Sequence, residues 1–191
     1  MEIKPLDIDG SWIAESKILR DNRGTFREWF KLPDLNSATS CNFQVEQANI
    51  SESSKGTLRG IHYSLAKGGQ AKWITCVTGS IRDIVIDIRP DSKTFGKWIE
   101  VLLSGESGQA VFIGEGLGHA FLSMQDQTVV AYLTSSPFSS KDEFAINPLD
   151  PDIGIKWGLG AAELRISEKD FHAPGLKERE AEGKLPKKYR H

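Results

Sequence analysis

Two histidines are marked by their company. His62 follows Leu58-Arg59-Gly60-Ile61, and His119 follows Gly114-Glu115-Gly116-Leu117-Gly118. Imidazole exchanges protons near neutral pH, its ordinary pKa being roughly 6.5, so a His set against a polar ligand is a candidate acid or base. Taken singly, either is as simply read as a hydrogen-bonded core or rim residue. The neighbours count against the simpler reading. Arg59 lies three residues before His62 and Lys72 ten after it; Gln70 and Lys72 share parity along a strand, as do Gln47 and Asn49. Cations and amides gathered on inward strand faces are costly to bury unless paired, so the set implies a wet cavity or an anionic ligand. Arg59 and His62 have opposite parity in a regular strand. For both to face one cavity the chain must bulge, and Gly60 is the position that permits it.

Other candidates are weaker alone. Tyr132, in the apolar run 129–133, reads as packing with a hydroxyl that needs a partner. Phe138, beyond Ser135-Ser136-Pro137, is an aromatic in a loop: a stacking platform or a plug for a cavity mouth. The four histidines include no closely spaced pair, the other two being His172 and His191, and Ser64 stands two positions after His62. His62 and His119 alone are too few for a zinc or iron ligand set, so no metal is expected.

The elements that must position these groups are strands. Short runs rich in Val, Ile, Thr and aromatics predict strands at 43–50, 57–63, 71–77, 80–88, 98–103, 110–113, 120–123 and 128–133. Glycine-bearing turns at 54–56, 67–69, 78–80, 104–105 and 114–116 separate them. In 81–89, Ile84, Ile86 and Ile88 fall on one face, while Asp83, Asp87 and Arg89 fall on the other with Val85. That period of two is a half-buried strand whose polar side meets solvent or lines a wet barrel. Helical signal is poor, the best being a solvated surface helix from Gly175 to about Gly183, opened by Pro174. The expectation is an all-β sandwich or barrel with a few short helices. It forms a single domain over 1–191, its core at about 20–158 and a C-terminal extension at 159–191.

The chain has 191 residues, 39% apolar and 26% charged, with a net charge of −2. That balance argues against a nucleic-acid binder while leaving room for a small anion held by local Arg and Lys. No apolar run approaches a membrane span, the start lacks an apolar signal region, and two cysteines make no disulfide framework. Cys76, in an apolar run, is expected to be a buried structural thiol. A cytoplasmic protein is expected.

Several segments together resemble one family. Asp21-Asn22-Arg23-Gly24-Thr25-Phe26-Arg27-Glu28, Gln47-Ala48-Asn49, Gly56 through His62, Gln70-Ala71-Lys72, Gly79 through Arg89, Thr94 through Trp98, Gly116 through Phe121, Asp150 through Trp157 and Ser167-Glu168-Lys169-Asp170 are similar, in order and spacing, to the dTDP-4-dehydrorhamnose 3,5-epimerases. The resemblance implies a cupin-like jelly roll and a homodimer needing neither metal nor organic cofactor. It also implies a dTDP-sugar as substrate. It casts His62 as base, Asp170 as its carboxylate partner, Tyr132 as proton donor on the opposite sugar face, and Lys72 as the cation at the enolate oxygen. Gln47, Asn49, Arg59, His119, Glu143 and Lys169 match substrate-binding positions. Arg23 and Glu28 match positions that can reach the partner subunit's site. Phe138 stands where relatives commonly stack a Tyr on thymine. Tyr63-Ser64, Gly114 and Ala120 depart from the common pattern without removing a catalytic group. The expected reaction is epimerisation at carbons 3 and 5 of a dTDP-4-keto-6-deoxy-hexose. Inversion at one carbon only is the alternative, and a non-catalytic sugar-nucleotide binder or a metal-dependent cupin are readings of other classes.

Overall fold

The computed structural model describes residues 1–186; the histidine at the chain end, His191, and the last of the expected extension lie outside the described residues. The strands, in order, are β1 (Glu2–Pro5), β2 (Ser11–Glu15), β3 (Leu19–Asp21), β4 (Gly24–Phe26), β5 (Gln47–Ser53), β6 (Thr57–Ser64), β7 (Lys72–Thr78), β8 (Ser80–Asp87), β9 (Trp98–Ser104), β10 (Gln109–Ile113), β11 (Leu117–Ser123), β12 (Thr128–Thr134), β13 (Glu143–Ala145) and β14 (Arg165–Ile166). Three short α-helices join them: α1 (Leu32–Thr39), α2 (Glu168–Phe171) and α3 (Leu176–Ala181).

Two sheets carry the fold. One is six-stranded in the order β1-β2-β10-β7-β12-β5; the other runs β13-β6-β11-β8-β9, with β14 parallel to β6. From β5 to β8, and again from β9 to β13, consecutive strands alternate between the two sheets, as in the expected jelly roll. Their inner faces meet in a dry cluster of Ile74, Cys76, Val111 and Val130 from the first sheet against Ile81, Val85, Leu103 and Phe121 from the second. Cys76 is fully buried there, and burial pushes its thiol up to about 11. β3 and β4 pair only with each other among the described residues.

Every predicted strand exists, with shifted edges. The run 43–50 becomes a strand only from Gln47, because Phe43 instead turns into the cluster that covers the first sheet's outer face. β1 and β2 lie upstream of residue 20 yet belong to that sheet, so the core begins earlier than expected. α1 carries almost no signal: Pro33 opens it, Ser40 in the left-handed region closes it, and Leu35 is its one buried side chain. It lies with Phe43, Trp73 and Phe112 over the first sheet.

The strand at 80–88 corrects a simpler picture. Its isoleucine face does not meet the partner sheet; Ile84 and Ile86 pack outward beneath the C-terminal extension, against Ile146, Trp157 and Leu176. Its polar face is equally buried, Asp83 and Asp87 being 0% exposed. The extension is therefore a cover over the second sheet. Its helix is not simply solvated: Leu176 is buried, and Arg179 donates to the Ala145 carbonyl at 3.0 Å while lying over the Phe144 ring.

Candidate active site

β6 brings Arg59 and His62 to one side through an irregularity. On neighbouring β11, His119 opposes His62 and Phe121 opposes Arg59, so Gly60 and Ile61 together face the single Ala120. This is the bulge that the parity conflict required. Gly60 sits at φ +110°, and a Cβ there would stand 2.5 Å from the His119 carbonyl oxygen and 2.8 Å from Ala120 Cα. Backbone cannot yield as a flexible side chain can. Gly60→Ala is expected to destabilise the fold by about 1–3 kcal/mol, measurable as a lowered midpoint in urea. A midpoint equal to wild type would show that the bulge tolerates a side chain.

The cleft has two adjoining compartments. The outer one, 180 Å³, is lined by Gln47, Asn49, Gln70, Thr134, Phe138, Glu143, Phe144 and Lys169; the inner one, 150 Å³, by Ser51, Arg59, His119, Phe121 and Val130. His62, Lys72 and Tyr132 line both. Together the compartments reach the lower range of small-molecule sites, roughly 300–1,000 Å³. His62 comes from the second sheet. Lys72 and Tyr132 come from the first, on neighbouring strands, where Thr134 opposes Lys72 and Tyr132 opposes Ile74. An imidazole therefore faces an ammonium and a phenol across one space.

Each group has an environment that suits it. His62 Nε2 lies 2.8 Å from Asp170 Oδ1, and the Asp170 side chain is only 6% exposed. Asp170 is set on α2, whose N-cap Ser167 Oγ accepts from the Asp170 N–H at 3.1 Å. Burial acts to raise the Asp170 carboxyl, but His62, the Gly60 N–H and Ser167 outweigh it and hold the group below its ordinary range. Lys72 is 7% exposed, and its ammonium makes no hydrogen bond or ion pair with the described residues. Burial pulls its pKa down, while the charge of Glu143 opposes that. Burial raises the Tyr132 phenol, with Arg59 opposing and Glu143 adding to the rise, so it remains a proton donor. Arg59 donates through Nε to Ser53 Oγ at 3.1 Å and through Nη2 to the Glu52 carbonyl at 3.2 Å, which fixes its fork at the inner compartment. At the mouth, Phe138 is 64% exposed, and its N–H donates to Gln47 Oε1 at 2.8 Å.

Two predicted residues lie elsewhere. Arg23, at the tip of the β3–β4 ribbon, is paired with Asp21 at 2.6 Å with its side chain 85% exposed. Glu28 lies beside Ser16, Leu19 and Phe26. Neither lines the cleft of its own chain.

A family model described as dTDP-4-dehydrorhamnose 3,5-epimerase matches residues 5–178. The chain belongs to this family. The Mycolicibacterium smegmatis dTDP-4-dehydrorhamnose 3,5-epimerase is 41% identical over 186 residues, covering 97% of this chain and 91% of that one. Among solved structures, the rmlC epimerase of Mycobacterium tuberculosis superposes with a TM-score of 0.94 at 39% identity, covering 98% of this chain and 94% of that one. ChmJ, a 3'-monoepimerase from Streptomyces bikiniensis in complex with dTDP-quinovose, gives 0.91 at 43% identity, covering 96% and 92%. The cupin-like jelly roll and membership of an epimerase family acting on dTDP-sugars thus stand on both sequence and structure. No helix among the described residues is long and apolar enough to cross a membrane.

Sequence reasoning left some cleft residues out of its candidate set. Ser51 and Thr134 share parity with Asn49 and Tyr132 but each lies one residue past the end of its expected strand, while Gln70, read as sharing parity with Lys72, was left out of the site. Phe121, Val130 and Phe144 look like any packed apolar residue.

Proposed function

We propose that the chain converts dTDP-4-dehydro-6-deoxyglucose to dTDP-4-dehydro-L-rhamnose by inverting carbons 3 and 5, each through an enolate. The observation that carries this reading is the cleft shared by the carboxylate-backed His62, by Lys72, which is unpaired among the described residues, and by the protonated Tyr132. With Nε2–H donated to Asp170, Nδ1 of His62 is free to take the proton from the carbon beside the ketone. The carbon–hydrogen electron pair becomes the carbon–carbon double bond of the enolate, and the ketone oxygen takes the negative charge. The Lys72 ammonium, itself only 7% exposed, meets that charge as it develops. The Tyr132 hydroxyl then gives its proton to the same carbon from the opposite face as the carbonyl re-forms. Solvent returns a proton to the phenolate and removes one from the imidazolium, so the net change is inversion alone. Asp170 holds the tautomer and supports the transient imidazolium, as in other His–carboxylate pairs.

Tyr132→Phe separates the two halves of this scheme. Proton removal by His62 should persist, seen as solvent exchange with retention, while net inversion falls by roughly 100-fold or more. Equal loss of exchange and inversion would remove Tyr132 from its role.

The nucleotide end belongs at the mouth. Phe138 offers a ring to the thymine, and Lys169, which lines the same outer compartment, supplies positive charge for the diphosphate. Phe138→Ala should weaken nucleotide affinity by about 1–3 kcal/mol and leave kcat within about twofold; a defect confined to kcat would contradict stacking. We also propose a homodimer as the working form, with the β3–β4 ribbon and the residues just after it carrying Arg23 and Glu28 to the partner's cleft. The ribbon's exposed Leu19 and Phe26, at 49% and 64%, support it, and sedimentation as a monomer at micromolar concentration would oppose it.

Inversion at carbon 3 alone is the second reading, favoured by the likeness to the 3'-monoepimerase ChmJ. The reactions differ in how many ring positions take up solvent deuterium.

A further inference from the structure

Among the described residues that line the cleft, Glu143 is the one carboxylate. It shares the space with Lys72, Lys169, Arg59, His62 and His119, and with the Tyr132 phenol. Its own support is thin: its one side-chain hydrogen bond among the described residues, from Gln70 Nε2, is long at 3.4 Å. Where the carboxylate stands is therefore set by the strand that carries it. That strand, β13, has three residues, lies at the edge of the second sheet and is paired with β6 alone.

Side chains alternate along β13. Glu143 and Ala145 share a face with Ser64 and His62, their register partners. Phe144 takes the other face with its own partner Tyr63, and the two rings stack at 5.8 Å beneath the C-terminal extension. Ile61 and Ile146 exchange both backbone hydrogen bonds, at 3.1 and 2.9 Å. The next pair, His62 with Ala145, is then a non-hydrogen-bonded one, and the Ala145 carbonyl points away from β6 to the free edge of the sheet.

An edge carbonyl takes its partner from outside the sheet. Here α3 supplies it. Arg179 Nε donates to that oxygen at 3.0 Å, and the guanidinium carbon stands 5.5 Å from the centroid of the Phe144 ring. Glu182 holds the other side of the fork, accepting from Nη1 at 2.9 Å. Lys184 brings a second cation to 5.9 Å from the same ring, and its carbonyl accepts from the Tyr63 hydroxyl at 2.7 Å. Arg179 lines neither compartment, yet the carbonyl it holds belongs to the residue paired with His62.

We propose that Arg179 is a positioning residue for the cleft: from beneath the extension it fixes β13 at the Phe144 ring and the Ala145 carbonyl, and so holds the Glu143 carboxylate in the compartment it shares with Lys72. Burial favours loss of the Lys72 proton, and the charge of Glu143 opposes that loss. A strand free to lean outward carries the opposing charge away. The value of this for catalysis rests on the enolate reading above; the placement of Glu143 does not.

The test follows the Lys72 ammonium itself. Lysine isotopically labelled at Cε reports each ammonium's titration by NMR, and Lys72→Met identifies the Lys72 signal by its disappearance. The full-length protein is used without ligand, so the answer is the same whether or not the chain epimerises a sugar. Glu143→Gln should lower the Lys72 midpoint by about one pH unit, as for loss of one opposite charge nearby. Arg179→Met should lower it by about half as much. Loss of the Arg179 charge acting directly would move the midpoint upward, so the sign separates the two routes. Added to Glu143→Gln, Arg179→Met should lower the midpoint by less than about 0.2 further, because the charge it places is gone. If Arg179→Met does not fold, Arg179→Lys decides by the same shift, since it keeps a cation beside Phe144 and gives up the Nε–H bond. A lowered melting temperature with an unmoved or raised Lys72 midpoint would make Arg179 structural only and overturn the proposal. An unmoved midpoint in Glu143→Gln, or a full additional fall in the double variant, overturns it as well.

Discussion

In His62→Ala, solvent deuterium should no longer enter the sugar at either carbon beside the ketone. Positioned acid–base catalysis is worth roughly 100- to 10,000-fold, and this variant removes the group that breaks the carbon–hydrogen bond, so turnover should fall by at least that factor. Nucleotide affinity should change by less than about threefold, because the mouth groups Phe138, Gln47 and Lys169 are untouched. The substitution also strands Asp170. Losing its partner should cost about 1–3 kcal/mol of stability, read from urea unfolding near pH 7. The pH dependence carries the same information. Because the folded Asp170 carboxyl is held below its ordinary value of 3.8, its contribution to stability is present above that value. It is lost as pH falls through the lower folded value. That acid-side loss should shrink in His62→Ala. Full exchange in the variant would place the base elsewhere.

Lys72→Met should move activity and stability in opposite directions. Removing one preorganised donor to a developing oxyanion typically costs 100- to 1,000-fold in kcat, and Lys72 is the cation lining both compartments. Yet Lys72 is a burden on the folded state. Its pKa is drawn down by burial, so keeping it charged opposes folding at all pH values below the folded pKa; the penalty fades as pH rises from there towards 10.5. A thioether of similar length removes that burden, and a gain of about 0.5–2 kcal/mol is expected, raising the melting temperature by a few degrees. A variant both inactive and destabilised would mean that Lys72 holds the strands together, and its loss of activity would say little about the enolate.

How far the sequence reveals this site depends on how each residue signals itself. Lys72, Tyr132, Gln47 and Asn49 sit in strands, where a period of two assigns a face without knowing the fold. The mismatch between Arg59 and His62 was itself informative, since it located the bulge at Gly60. Asp170 gives no such cue. It reaches His62 from a four-residue helix more than a hundred positions away, and only the family resemblance pointed to it. α1 was missed because one buried leucine makes no periodic stripe, and β1 and β2 because they are too short to alternate for long. On β8 the pattern separated the two faces correctly, yet what covers each face is decided by the C-terminal extension, packed from far along the chain. Ser51 lay one residue past the end of the strand expected at 43–50 and was passed over, since a serine draws attention only once its hydroxyl is known to be alone.

Proton removal beside a ketone is the step on which the proposed reaction depends. Proton NMR of dTDP-4-keto-6-deoxyglucose with the wild-type protein in heavy water reads it directly. Loss of the carbon-3 and carbon-5 proton signals, together with appearance of the L-configured product, is the predicted result. If both signals persist at full intensity while the nucleotide is bound, the protein performs no enolate chemistry on this sugar.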